Sequence, residues 1–182
     1  MKKNWTLLAV FANDRPDIIA EVTQVLFQHK ANLEDITMTL LEGELVMMMM
    51  VCLAGHQKKF IQKSLDHLTL KKKFTFFWKD MPKKAPAQSR TRNTTTYLVT
   101  ALGKDRTGIV HHISRVLASC RLNITDLNSR ILKSGGRSLY AMALEVEIPA
   151  NFDLSRLKKS LALIRKKLKL EISLKPVESL EY

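Results

Sequence analysis

The chain has 182 residues, 46% of them hydrophobic, with 30 Lys and Arg against 17 Asp and Glu for a formal net charge of +13. That length admits one medium domain or two small ones, and that charge favours an acidic partner: a nucleic acid, an acidic protein or an anionic surface. No apolar run is long enough to span a membrane or serve as a signal segment, and two cysteines (Cys52, Cys120) make no disulfide framework, so a soluble cytosolic protein with no membrane partner is expected.

Thr6 to Phe11 reads as a short apolar strand. Asn13-Asp14-Arg15-Pro16-Asp17 then turns, with Pro16 placed in the first helical turn, where its missing N–H costs nothing. Ile18, Val22, Val25 and Leu26 recur at helical spacing, and His29 to Asn32 closes that helix. Leu33 to Leu41 and Leu45 to Leu53 read as strands joined at Glu42-Gly43-Glu44. The second holds Met47 to Met50, and a run without alternation predicts a strand covered on both faces. Successive strand side chains point to opposite faces, so these thioethers cannot converge on one metal and are read as core packing. Gln57 to Leu70 follows as a helix with Phe60, Ile61, Ser64, Leu65 and Leu68 inward, and Lys71 to Trp78 as a final strand. The order β-α-β-β-α-β is that of a split βαβ, ferredoxin-like sandwich.

Residues 81–95 carry four Lys and Arg, no acid, and both Pro82 and Pro86, which predicts an exposed, partly extended linker. Beyond it the pattern returns. Tyr97 to Leu102 is a strand; Lys104-Asp105-Arg106-Thr107-Gly108 is a turn that Asp105 can cap; Ile109, Ile113, Val116, Leu117 and Cys120 form a helical stripe. Asp14, Arg15 and Ile18 match Asp105, Arg106 and Ile109, while Asn32 and Asp35 match Asn123 and Asp126. Ser134-Gly135-Gly136 takes the place of the Gly43 turn, Leu139 to Ile148 and Lys169 to Val177 are strands, and Leu154 to Leu168 is the second helix. Two copies of one unit are therefore predicted, over residues 1–80 and 96–182, in the α+β class with antiparallel sheets.

The Asp-Arg-x-Gly-Ile-Val turn and the following Asn-Ile-x-Asp resemble the ACT domain, and the tandem pair is similar to the glycine cleavage system transcriptional repressor group. The resemblance implies a regulatory, non-enzymatic protein without a cofactor that holds a small amino acid, such as glycine, near the first turn. It also implies action through a regulatory protein partner and pairing of domains or of chains as a homodimer. The ligand carboxylate would meet backbone amides around Thr107, Gly108 and Ile109, and its ammonium would meet Asp105, Asn123 or Asn32. Asp14 would hold the corresponding place in the first copy. Physically this suits an amino acid, with the anion at a helix N-terminus and the cation at an oxygen acceptor. The same residues have plain structural uses, Asp105 as a cap and Asn123 as a turn residue. The first copy departs from the pattern, with Asp17 where the second has Gly108 and Ala12 where it has Gly103, so the second copy is expected to bind better.

Catalysis has little support. His111 and His112 are adjacent on a helix, so their rings are expected to splay and not share a metal, and no Ser/His/Asp order or phosphate loop emerges. RNA-recognition domains share the element order but need aromatic residues on the third strand, where this chain offers Tyr140 alone. Direct nucleic-acid binding, the alternative to a protein partner, rests on the basic second half at Lys158-Lys159 and Arg165-Lys166-Lys167.

Overall fold

The computed structural model describes residues 3–82, 93–134 and 137–177. The chain divides into two compact units, Met1–Gln88 and Ser89–Tyr182. The first runs β1 (Lys3–Asn13), α1 (Ile18–Gln28), β2 (Asn32–Leu41), β3 (Glu44–Ala54), α2 (Gln57–Lys72) and β4 (Thr75–Met81). The second repeats this as β5 (Thr94–Lys104), α3 (Ile109–Ser119), β6 (Asn123–Ser134), β7 (Arg137–Pro149), α4 (Leu154–Leu168) and β8 (Glu171–Pro176). The sheets are ordered β2-β3-β1-β4 and β6-β7-β5-β8, antiparallel throughout. This is the ferredoxin-like α+β sandwich, present twice. The centre of the predicted linker, residues 83–92, and the Gly135-Gly136 turn lie outside the described residues.

Alternation on the central strands makes each core. Thr6, Leu8, Val10 and Ala12 of β1 lie opposite Val51, Met49, Met47 and Leu45 of β3, and all eight are buried. They meet Ile18, Val22, Val25 and Leu26 of α1 and Ile61 and Leu65 of α2. The second core joins Val99 and Ala101 to Met142, Leu144, Val146 and Ile148, beneath Ile109, Ile113 and Leu117 of α3 and Leu157 and Leu161 of α4.

Three expectations are corrected. The methionine strand is covered on one face only: Met47 and Met49 are fully buried, whereas Met48 on the other face is 44% exposed. A central strand of a two-layer sandwich has one helix layer, and the opposite face, with Phe11 against Phe77 at 5.8 Å, stays open. Phe60 is not inward; it lies exposed and stacks on His29. The last strand of the first unit starts at Thr75, because α2 continues to Lys72 and ends at Lys73 in the left-handed conformation, which tucks Phe74 into the core.

Gly103 has a packing reason. A Cβ there would come within 2.6 Å of the Leu170 side chain and 3.3 Å of its Cα. The first unit, with Ala12 at that place, has Phe74 where the second has Leu170, so the difference concerns how the last strand seats and not ligand access.

Candidate functional site

Each first helix opens on a left-handed residue, Asp17 (φ 74°) before α1 and Gly108 (φ 92°) before α3. An N-cap is usually extended. The left-handed form instead swings the chain abruptly from strand to helix, at no steric cost for glycine and a tolerable one for aspartate. Neither helix has a side-chain cap at that residue. The expected cap by Asp105 is therefore corrected: Asp105 sits three residues before the N-cap and is exposed, and Gly108 takes its place. By contrast Asp153 does cap α4, accepting from the Ser155 amide at 2.8 Å. Pro16 likewise lies in the turn before α1 and not within its first helical turn.

In α3 the first intrahelical bond runs from the His112 amide to the Gly108 carbonyl at 2.9 Å. The amides from Gly108 to His111 thus lack intrahelical partners. Asp105 and Thr107 are exposed beside them, while the Ile109 side chain is buried and leaves only its amide to offer. The His112 ring lies over the glycine, 3.7 Å from where a Cβ would stand. Desolvation, then the charges of Lys167, His111 and Arg115, hold its pKa below the ordinary imidazole value. The His111 and His112 rings meet edge-on at 5.4 Å and do not splay apart as expected. Among the described residues no cluster of His, Cys, Asp and Glu could hold a metal.

The asparagines are elsewhere. Asn123 is level with Glu147 and Thr96, at the opposite end of β5 from Lys104 and the turn. Eight strand residues separate the two levels, roughly 26 Å. Asn32 lies level with Cys52 and Trp5 and is just as far from Asp14. The cause is the fold itself: the first helix carries the chain back along the sheet, so the strand after it starts at the far end. Within one unit, then, Thr107, Gly108, Ile109 and Asp105 come together and Asn123 does not join them. Asp14 is placed at the turn of the first unit, its amide donating to the Gly43 carbonyl at 2.8 Å.

The family profile described as ACT domain matches residues 6–79 and 95–175. The chain belongs to the ACT-domain family. ACT domains are regulatory modules that typically bind small amino-acid effectors and form dimers. A UPF0237 protein of Methanosarcina mazei is 29% identical over 87 residues, covering 47% of this chain and 90% of the relative. A UPF0237 protein of Methanocaldococcus jannaschii is 43% identical over 65 residues, covering 35% and 68%. Of solved structures, an unknown protein from Galdieria sulphuraria superposes with a TM-score of 0.78 at 24% identity, covering 97% of this chain and 100% of its own. A proposed glycine cleavage system transcriptional repressor superposes with a TM-score of 0.71 at 14% identity, covering 98% and 100%. These two likenesses show the fold, including its duplication.

The two ACT turns differ in charge. In the first, the Arg15 guanidinium donates to both Glu21 carboxylate oxygens, at 3.2 and 2.6 Å, and to the Pro16 carbonyl at 3.1 Å, while Lys72 pairs with the same carboxylate. Arg15 also lies 5.4 Å over the Phe74 ring. His112 stands where Glu21 stands, so the second turn has no such clamp, and among the described residues Arg106 has no ion-pair partner. Sequence reading missed Glu21 and Lys72, which are 51 positions apart. The i, i+6 spacing of Arg15 and Glu21 across a helix start was the one available hint.

The clamp has a pH signature. Hydrogen bonds from Arg15 and then Lys72 bring the Glu21 carboxyl from 4.5 down to about 2. A depressed carboxyl stabilises the fold fully above the unfolded value and loses that contribution as pH falls toward the folded one. Both cations are more than a third exposed, so solvent screening holds the effect to about 0.5–1 kcal/mol. Glu21→Gln is expected to lower stability by that much at pH 7, with the gap from the unaltered protein closing between pH 4.5 and 2. Urea titrations across that range check it; a gap independent of pH would rule out the ionised clamp.

Proposed function

We propose that the protein is a cytosolic amino-acid sensor that regulates amino-acid metabolism, glycine being the first candidate effector, by acting on a protein partner in transcriptional control. The observation that carries this is the open turn of the second unit. Its unpaired first-turn amides, with no carboxylate at Gly108 and with Lys104 and Arg106 close by in sequence, suit a ligand carboxylate. Asp105 is the acceptor for the ammonium group within the same unit. Asn123 acts, in this reading, from a second chain in a homodimer, since its own unit holds it at the far end. The apolar strip Ile36, Met38 and Leu40 on edge strand β2, each more than 40% exposed, offers one surface for such pairing. The first turn is proposed to be degenerate: Asp17 puts a carboxylate where the ligand's would sit, and the Arg15–Glu21–Lys72 clamp already satisfies the local charges.

The repressor-like structure supports the transcriptional part of the reading through its shared duplication. The test is thermal unfolding against a panel of amino acids. A ligand at about 100 times its Kd adds about 2.7 kcal/mol, a shift of several degrees for domains of this size. A shift with one small amino acid is the expected result. A flat panel would overturn the sensor reading.

A further inference from the structure

Helix α4 and edge strand β8 enclose a cleft of about 250 Å³ lined by Lys158, Leu161, Ala162, Arg165, Ile172, Ser173 and Leu174. Its floor is apolar and its helix wall is cationic. Lys158 and Arg165 are seven residues apart, two turns of helix, which puts both on one face about 10.5 Å apart. Both are exposed, and among the described residues neither has an ion-pair partner.

The strand wall has a direction. The Val177 amide donates to the Thr96 carbonyl at 2.8 Å, and Tyr97 is opposite Pro176. Antiparallel pairing alternates, so Lys175 and Ser173 turn their backbone groups toward β5, while Ile172, Leu174 and Pro176 turn theirs outward. Pro176 falls on the outward set, where it forfeits no bond within the sheet. The free edge next to the cleft is thus the N–H and C=O groups of Ile172 and Leu174.

The first unit differs at the corresponding place. Phe76 and Trp78 stand where the second unit has Ile172 and Leu174, and each pair packs, partly buried, against its own core. Lys58 there is neutralised by Asp80 at 2.5 Å and lies 6.0 Å from the Trp78 ring centre. Counting back from the helix ends at Lys73 and Lys169, Lys158 and Arg165 correspond to Gln62 and Thr69, which carry no charge. Both units have the edge strand and its apolar residues, but among the described residues only the second sets two cations without an ion-pair partner at these helix positions.

We infer that the α4–β8 cleft receives an acidic, extended segment of a protein partner, which adds to β8 as a strand and sets its carboxylates against Lys158 and Arg165. Strand addition supplies backbone hydrogen bonds and the side chains supply selectivity. The inference rests on the proposed action through a protein partner, but its readout is separate from effector binding, so an amino-acid panel that fails leaves this result standing and the reverse.

The probe is a short fluorescent peptide alternating glutamate with valine, titrated by anisotropy into the full chain, beside its lysine-for-glutamate counterpart and a short single-stranded DNA. The expected result is saturable binding of the acidic peptide alone, with hydrogen-exchange protection appearing at the Ile172 and Leu174 amides. Leu174→Pro removes an outward N–H without touching the β5 pairing, and is expected to weaken binding roughly tenfold or more, as is the surface double variant Lys158→Gln/Arg165→Gln. No binding of the acidic peptide overturns the inference. So do unprotected Ile172 and Leu174 amides in the unaltered chain, or tighter binding of the DNA with the same dependence on Lys158 and Arg165.

Discussion

Exchanging Gly108 for aspartate is expected to abolish stabilisation by the amino-acid ligand while leaving the chain folded. The fold is expected to survive because Asp17 of the first repeat holds the same left-handed conformation at the same place, φ 74° against 92°. The substitution costs about 1–2 kcal/mol for a side chain in that conformation. Space is available, since a Cβ at Gly108 meets nothing nearer than the His112 ring at 3.7 Å. What changes is charge: a carboxylate beside the first-turn amides occupies the place of the ligand's own. The roughly 2.7 kcal/mol a ligand adds at about 100 times its Kd should then vanish from the melting curve. Gly108→Ala carries a backbone cost at least as large, without the charge, and is expected to keep a measurable shift. Asp17→Gly is expected to restore nothing by itself, because Arg15 and Lys72 remain on Glu21. Retention of the full shift by Gly108→Asp would place the effector elsewhere.

The distinction between the repeats was half legible in the sequence. Asp17 against Gly108 is a local difference in a turn, and turn chemistry is written in a few consecutive residues. The clamp that goes with it joins a residue of α1 to the end of α2, a pairing fixed by packing of the two helices and not by any spacing along the chain. The apolar stripes of α1 and α3 were readable for the same local reason, and so was the duplication. Periodicity fails where a pattern does not alternate: Met47 to Met50 gave no sign that Met48 faces an open sheet face. It also fails to say where the ends of strands lie in space. Asn123 follows the turn after a single helix, and the β6–β7–β5 register shows that β6 starts at the other end of the sheet. The α4–β8 cleft was visible as a charge run, but its meaning depends on which amides of β8 point outward, which the pairing alone decides.

Phe74→Ala is expected to cost the first unit more than any change at either turn. The ring is 1% exposed, stacks nearly parallel to Phe76 at 5.6 Å and carries the Arg15 guanidinium 5.4 Å from its centre. Truncating a buried phenylalanine costs about 3–5 kcal/mol through lost burial and the cavity left behind. Loss of the cation–π contact adds ~0.5–1 kcal/mol at a site this wet. Set against the ~5–15 kcal/mol that a typical domain has in total, this leaves the unit marginal. Phe74→Leu separates the two causes, because leucine is what the second unit uses there, as Leu170. It keeps most of the volume and loses the whole ring, so a cost of about 1–2 kcal/mol is expected if packing dominates. Both tryptophans, Trp5 in β1 and Trp78 in β4, lie in the first unit, so their fluorescence in urea reports its unfolding directly. Equal losses in the leucine and alanine variants would make the aromatic contacts to Phe76 and Arg15, and not the filled volume, the reason for a phenylalanine at this position. The clamp would then be tied to the core through Arg15, and the pH-dependent part of the Glu21→Gln effect should shrink in Phe74→Leu as well.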